Sequence, residues 1–164
     1  MAGARTRSEY RAALASLPPR EHVVVPEGSF RPVEDRDRAA LAVVLLDAYR
    51  GTIDDEGETE VEARAAIDYY LRCLIREHSV VVSDADSLIA MSFVVVVGTT
   101  HYIDPVATAS SRKGRGFGRA AVEASLGSLS AAGVGEVGAV ITDGNTASQR
   151  LFEGLGFERV GVWG

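Results

Sequence analysis

Three strand-like segments, the first two rich in valine, follow one another with almost nothing between them: Ser79–Ser83, Leu88–Val97 and His101–Ala109. Their links are the turn signal Asp84-Ala85-Asp86-Ser87 and a short turn at Gly98-Thr99. A parallel crossover needs a dozen or more residues, so links this short force successive antiparallel pairing. The segments on either side supply helices to cover such a ribbon. Asp35–Arg50 carries Leu41, Val44, Leu45 and Ala48 at helical spacing, and Glu60–Glu77 gathers Ile67, Tyr70, Leu71, Leu74 and Ile75 on one face. Thr59 and Glu62 match the capping box that would start the second helix.

Beyond the ribbon, Ala120–Ala131 reads as a helix burying Val122, Leu126 and Leu129, with Gly133 as its stop. Glu136–Thr142 is then a strand, Thr146–Leu155 a short helix and Phe157–Trp163 a last strand. Two short strands, His22–Pro26 and Ser29–Val33, precede the first helix. The expected order is β-α-α-β-β-β-α-β-α-β, an α/β chain with a mixed sheet and helices on both faces. Residues 1–20 are polar and alanine-rich and close on Pro18-Pro19. They read as an N-terminal extension with a loose helix over Ser8–Leu17, leaving 21–164 as a single domain.

The third strand of the ribbon runs into Ser111-Arg112-Lys113-Gly114-Arg115-Gly116-Phe117-Gly118-Arg119, which holds the only lysine of a chain whose net charge is −6. Cations interleaved with glycines at the start of a helix suit a phosphorylated ligand. Glycine permits φ > 0 and close backbone approach, and the free N–H groups of a helix N-terminus favour an anion. The spacing is neither the dinucleotide fingerprint nor a P-loop. A solvated turn with solubilising arginines is the competing reading of the loop by itself.

Composition narrows the function classes. A chain of 164 residues, 46% hydrophobic and 24% charged, has room for one cored domain. Basic residues cluster only locally, which argues against a nucleic-acid surface. No apolar run approaches the ~20 residues of a membrane span. The lone Cys73 excludes an intramolecular disulfide and fits a reducing, cytoplasmic setting. It falls on the apolar side of its expected helix, as a small buried side chain. His22, His78 and His101 show no metal-ligand spacing, and no metal is expected.

The chain resembles the GNAT family of acyl-CoA-dependent N-acyltransferases. Their cofactor loop, [QR]-x-x-G-x-[GA], is similar to Lys113-Gly114-Arg115-Gly116-Phe117-Gly118, with lysine in first place. A second element, N-x-x-A-x-x-[LF]-Y followed by L-G-F, is similar to Asn145–Phe152 and then Leu155-Gly156-Phe157. Two positions depart from it, Ser148 for alanine and Phe152 for tyrosine. The resemblance implies acetyl-CoA as co-substrate and a small-molecule or peptide amine as acceptor, with a homodimer left open. It implies central strands that splay apart, with Val106, Ala107 and Thr108 pairing with the pantetheine arm. It also implies amides of Arg115–Arg119 on the pyrophosphate, with Lys113 and Arg115 adding charge and Asn145 bonding the pantetheine region.

Phe152 stands where many relatives have the tyrosine that protonates the departing thiolate, so another acid, water or a loss of catalysis is implied. Asp104 is the preferred base and Tyr102 a possible acid. Period-two alternation puts both on one face with Thr100 and Val106, and His101 on the other. Carboxylates in Asp54-Asp55-Glu56-Gly57-Glu58 suit a cationic amine, although Glu58 and Glu60 also complement a helix dipole. Tyr49 and Tyr69 are candidate aromatic walls. A non-catalytic acyl-CoA-binding module is the alternative function.

Overall fold

In the computed structural model, which describes residues 4–17, 28–85 and 87–164, the strands form a single mixed sheet. The strands are β1 (Arg7–Ala13), β2 (Ser29–Pro32), β3 (Val80–Asp84), β4 (Ser87–Val97), β5 (Thr100–Thr108), β6 (Glu136–Thr142) and β7 (Glu158–Val162). The helices are α1 (Arg38–Tyr49), α2 (Glu60–Cys73), α3 (Phe117–Ala131) and α4 (Thr146–Gly154). The sheet order is β2-β3-β4-β5-β6-β1-β7. All neighbours are antiparallel except β5 and β6.

The short links of the ribbon produce β3, β4 and β5 as expected. One helix pair covers each face. Leu41, Val44 and Leu45 of α1 and Ile67 and Leu71 of α2 pack on Val81, Met91 and Phe93. On the other face Val122, Leu126 and Leu129 of α3 and Phe152 of α4 pack on Val94, Ile103, Val137 and Ile141. Thr59 and Glu62 form the capping box, each side chain bonding the other's backbone N–H. No helix among the described residues is long and apolar enough to cross a membrane.

Three expectations change. Ser8–Leu17 is not a loose helix. Arg7–Ala13 is a strand lying between β6 and β7 and paired to both. Alternation explains it: Ser8, Tyr10 and Ala12 are buried while Arg7, Glu9 and Arg11 face the other way. Helical spacing of alanines is a weaker pull than two hydrogen-bonded neighbours. Cys73 is exposed, not buried. It lies two residues from buried Leu71, about 200° around the helix at 3.6 residues per turn. The helix ends at Cys73 and a separate 3₁₀ turn follows at Arg76–His78, so the expected Glu60–Glu77 helix is shorter. The strand expected at His22–Pro26 lies outside the described residues.

Tyr10 is 2% exposed within the core under α3. Tyr10→Ala should therefore cost ~3–5 kcal/mol in denaturant unfolding, as for large core aromatics. A loss below about 0.5 kcal/mol, the range of surface substitutions, would make β1 a dispensable appendage.

Candidate active site

β5 and β6 run parallel but pair only at His101↔Val137 and Tyr102↔Gly138. From Ile103 onward β5 keeps its β4 partner and leaves β6, so the sheet parts into a cleft. The parting point coincides with an irregularity on the other side of β5. Ser92 pairs with Val106 and Val94 with Ile103, so two β5 residues, Asp104 and Pro105, oppose Phe93 alone. A proline cannot donate to the ladder and suits such a bulge.

The extra residue changes side-chain parity. Asp104 reaches Tyr70 of α2, while Val106 packs with the α3–α4 core and Ala107 with the α1–α2 core. Val106 therefore does not share the face of Asp104, as strict alternation had suggested. Both still line the cleft, with Ala107 and Thr108.

The cleft has a volume of about 660 Å³ and two chemically different ends. One end is the glycine-rich turn and the start of α3. Gly116 has φ +86° and Gly114 +77°, a left-handed backbone that suits glycine. Asn145 caps α4 and Thr59 caps α2, but no side chain caps α3. Its first amides, which like those of any helix have no intrahelical partner, thus receive no side-chain cap either and lie at the cleft. Gly118 touches the cleft wall so closely that a Cβ would stand 2.9 Å from Thr108 Oγ1. Phe117 is buried beneath the turn. These features fit a phosphate-bearing arm laid along β5.

The cations of the loop divide between structural and open positions. Lys113 Nζ donates to the carbonyl of Ala48 near the C-terminal end of α1. Arg112 pairs with Asp84, and Ser110 bonds Asp47 through its amide (2.6 Å) and its hydroxyl (2.9 Å). Arg119 pairs with Glu123 one turn on, at 2.9 Å, and lines the cleft. Arg115 is exposed and outside the cleft lining. Charge in this loop thus both ties the turn to α1 and surrounds the free amides.

At the other end Asp104, Tyr49 and Tyr70 come together. Tyr70 donates its hydroxyl to Asp104 at 3.2 Å. Burial pushes the Asp104 carboxyl above its ordinary value, against the opposing pull of the Tyr70 hydrogen bond and the Arg7 charge. Burial followed by the charge of Asp104 raises both phenols. Asp54, Glu56 and Glu58 rim this end. Asp55 does not; its carboxylate accepts from the amides of Gly51 (2.7 Å) and Gly57 (2.9 Å) and closes the α1–α2 loop on itself.

Other candidates sit apart from this group. Tyr102 lies outside the cleft lining, donating to Glu9 at 2.5 Å and accepting from Arg11 at 3.0 Å. His101 packs against the His78 ring instead. Asn145 lines the cleft, with its amide engaged at both ends. Its Oδ1 accepts from the Ser148 amide (3.1 Å) and its Nδ2 donates to Asp54 (2.7 Å). Phe152 is buried edge-on against Phe157, 5.0 Å between centroids, and brings no hydroxyl. Tyr69 is 58% exposed, and its neighbour Tyr70 takes the cleft position. A hydroxyl within the apolar stripe Ile67-Tyr70-Leu71 was the available signal for Tyr70. Arg7 had no such signal, because its strand was not expected.

Residues 40–157 match the acetyltransferase (GNAT) family model, and the chain belongs to that family. No curated protein matches the sequence. Among solved structures, a GCN5-related N-acetyltransferase from Sphaerobacter thermophilus superposes with TM-score 0.75 at 17% identity, over 96% of this chain and 49% of that one. The chain thus spans about half the length of that protein. The ribosomal-protein-S18-alanine N-acetyltransferase of Escherichia coli gives 0.66 at 18%, covering 81% and 79%. The diaminobutyrate acetyltransferase of Paenibacillus lautus, solved with L-2,4-diaminobutyric acid and coenzyme A, gives 0.60 at 20%, covering 78% and 74%.

Two outcomes test the two ends. Gly116→Glu puts a side chain on left-handed backbone, costing ~1–2 kcal/mol, and an anion beside the free amides. It should weaken coenzyme A binding by calorimetry at least about tenfold while the protein stays folded; unchanged affinity would remove the loop from the site. Asp104→Asn tests the raised carboxyl. Above the ordinary value of 3.8, the folded protein keeps a proton that the unfolded chain has lost, so stability falls as pH rises through the raised value. The variant cannot ionise there, so its melting temperature should gain on wild type as pH rises from about 4 to 7. A constant gap would mean that Asp104 ionises like a surface carboxylate.

Proposed function

We propose that this family member is an acetyl-CoA-dependent N-acetyltransferase passing the acetyl group directly to a small-molecule or peptide amine. The carrying observation is the cleft between β5 and β6, with uncapped α3 amides at one end and the Asp104–Tyr70 pair at the other. The structural neighbours with amine substrates support the class of reaction. The amides of α3 and the glycine turn hold the pyrophosphate, and the unpaired edge of β5 at Val106–Thr108 receives the pantetheine amides. Bound acetyl-CoA supplies the activated acyl group.

The chain's own residues handle the acceptor. An amine of pKa near 10 is mostly protonated at pH 7, and presenting it neutral costs about 4 kcal/mol without help. Asp104, its carboxyl pushed up by burial against the opposing pull of the Tyr70 hydrogen bond, takes that proton in its ionised form. The anionic rim of Asp54, Glu56 and Glu58 draws the ammonium form toward it. Protonation of the departing thiolate falls to Tyr49, Tyr70 or water, since Phe152 has nothing to donate. Cys73 is exposed on α2 and outside the cleft lining, which supports direct transfer over a covalent thioester.

Phe152 also favours a second reading, an acyl-CoA-binding module without turnover. Release of free coenzyme A thiol with an amine panel separates the two. Asp104→Asn should lower kcat about 10²-fold or more while coenzyme A affinity stays within twofold. Binding of acetyl-CoA with no acceptor-dependent thiol release from wild type would favour the module, and full activity of the variant would remove Asp104 from the chemistry.

A further inference from the structure

The face of β1 that looks toward α1 and α2 carries Arg7, Glu9 and Arg11 in alternation. Glu9 and Arg11 are consumed in a closed set. Glu9 accepts from Tyr102 and from Arg11 Nε at 2.7 Å, and Arg11 also pairs with Glu136. Arg7 stands opposite Thr142 at the end of β6, and both line the cleft beside Asp104. Its guanidinium has no hydrogen-bond or ion-pair partner among the described residues, although its charge is felt by Asp104 and Tyr49.

The carboxylates around it are engaged elsewhere. Asp54 accepts from Asn145, Asp104 from Tyr70, Glu58 from the Glu56 amide at 3.1 Å, and Glu56 faces Arg5 at 3.8 Å. Among the acidic residues of this end, Arg7 is thus placed to bind an anionic group. Guanidinium matches a carboxylate bidentately, with two parallel N–H bonds, in a way that a single ammonium cannot. Asp104 fixes where the reacting amine must lie, so the anion and the amine belong to one small molecule.

We propose that Arg7 is the acceptor-anchoring residue and that the acceptor is an amino acid, its carboxylate held by Arg7 while its amine faces Asp104. The acidic rim of Asp54, Glu56 and Glu58 then favours amino acids with a second ammonium group. The proposal rests on the acetyltransferase reading; Arg7 holds the acceptor, and its charge also bears on the Asp104 carboxyl beside it.

The test compares amino acids with their decarboxylated counterparts: lysine with cadaverine, ornithine with putrescine, and 2,4-diaminobutyrate with 1,3-diaminopropane. Acetyl-CoA affinity is measured by calorimetry on the same samples. Wild type should prefer the amino acid in at least one pair by about tenfold or more in kcat/KM. Arg7→Gln should raise KM for that amino acid about tenfold and leave the diamine's KM within about twofold, any change in kcat through the Arg7 charge on Asp104 being shared by both, and Arg7→Lys should recover part of the loss in KM. Equal use of both members by wild type, preference for the diamines, or an equal rise in KM for both in Arg7→Gln would overturn the Arg7 assignment and leave the acetyltransferase standing. Turnover of peptide amines alone would do the same. Failure to bind acetyl-CoA would instead overturn the reading of the cleft itself, and this proposal with it.

Discussion

The parting of β5 from β6 after two paired residues is the constraint on which everything else turns. A continuous sheet would satisfy its backbone groups internally and leave nowhere for an extended ligand. A sheet that parts exposes polar backbone, and the open form must be held by what packs on either side. Here each face has its own core. The α1–α2 pair packs on β3 and β4 from one side, while α3 packs from the other on β4 and β5 as well as on β6 and β1, and so spans the parting. The bulge at Asp104-Pro105 sits at the parting point and aims a carboxylate into the opening. Shape and chemistry therefore arise from one local irregularity.

Charge is distributed with the same economy. The basic loop looked like a uniform phosphate collar in the sequence, but its members have separate duties. Lys113 neutralises the carbonyl end of α1 and Arg112 holds the β3–β4 turn through Asp84. What remains for an anion is mainly backbone N–H. Across the cleft, Asp54 bonds Asn145, and Ile53 lies close enough to Gly144 that a Cβ there would stand 2.9 Å from it. The α1–α2 loop therefore bridges both halves of the split sheet and touches the β6–α4 wall of the cleft, across from the β5 edge.

Most of the architecture was legible because short links and strong periodicity leave few options. β6 runs over Glu136–Thr142 as read from its pattern, and the capping box at Thr59 forms as its residues require. The glycine loop and the Asn145 helix carried the family. Three local features were not legible, for physical reasons. Arg7–Ala13 alternates in the buried strand manner, but its alanines and the lack of an adjacent strand hid a pairing whose partners lie more than a hundred residues away. Parity on β5 failed at the bulge, since period two has no means of counting an extra residue. Tyr69 and Tyr70 are adjacent and chemically identical, so only the packed helix face distinguishes them.

The placement of β1 has a kinetic consequence. Ser8 pairs with Ile141 and with Val162, so β1 closes onto partners more than a hundred residues downstream. Loop closure over such distances is slow and is rewarded only once the far partners exist. The β3–β4–β5 ribbon with α1 and α2 can condense from neighbours in sequence, whereas β1 must wait for partners more than a hundred residues downstream. During that interval the newly made β1 carries Tyr10 and a free pair of strand edges. The half of the cleft that bears Arg7 is thus assembled after the ribbon half and is the part more open to mispairing before it closes.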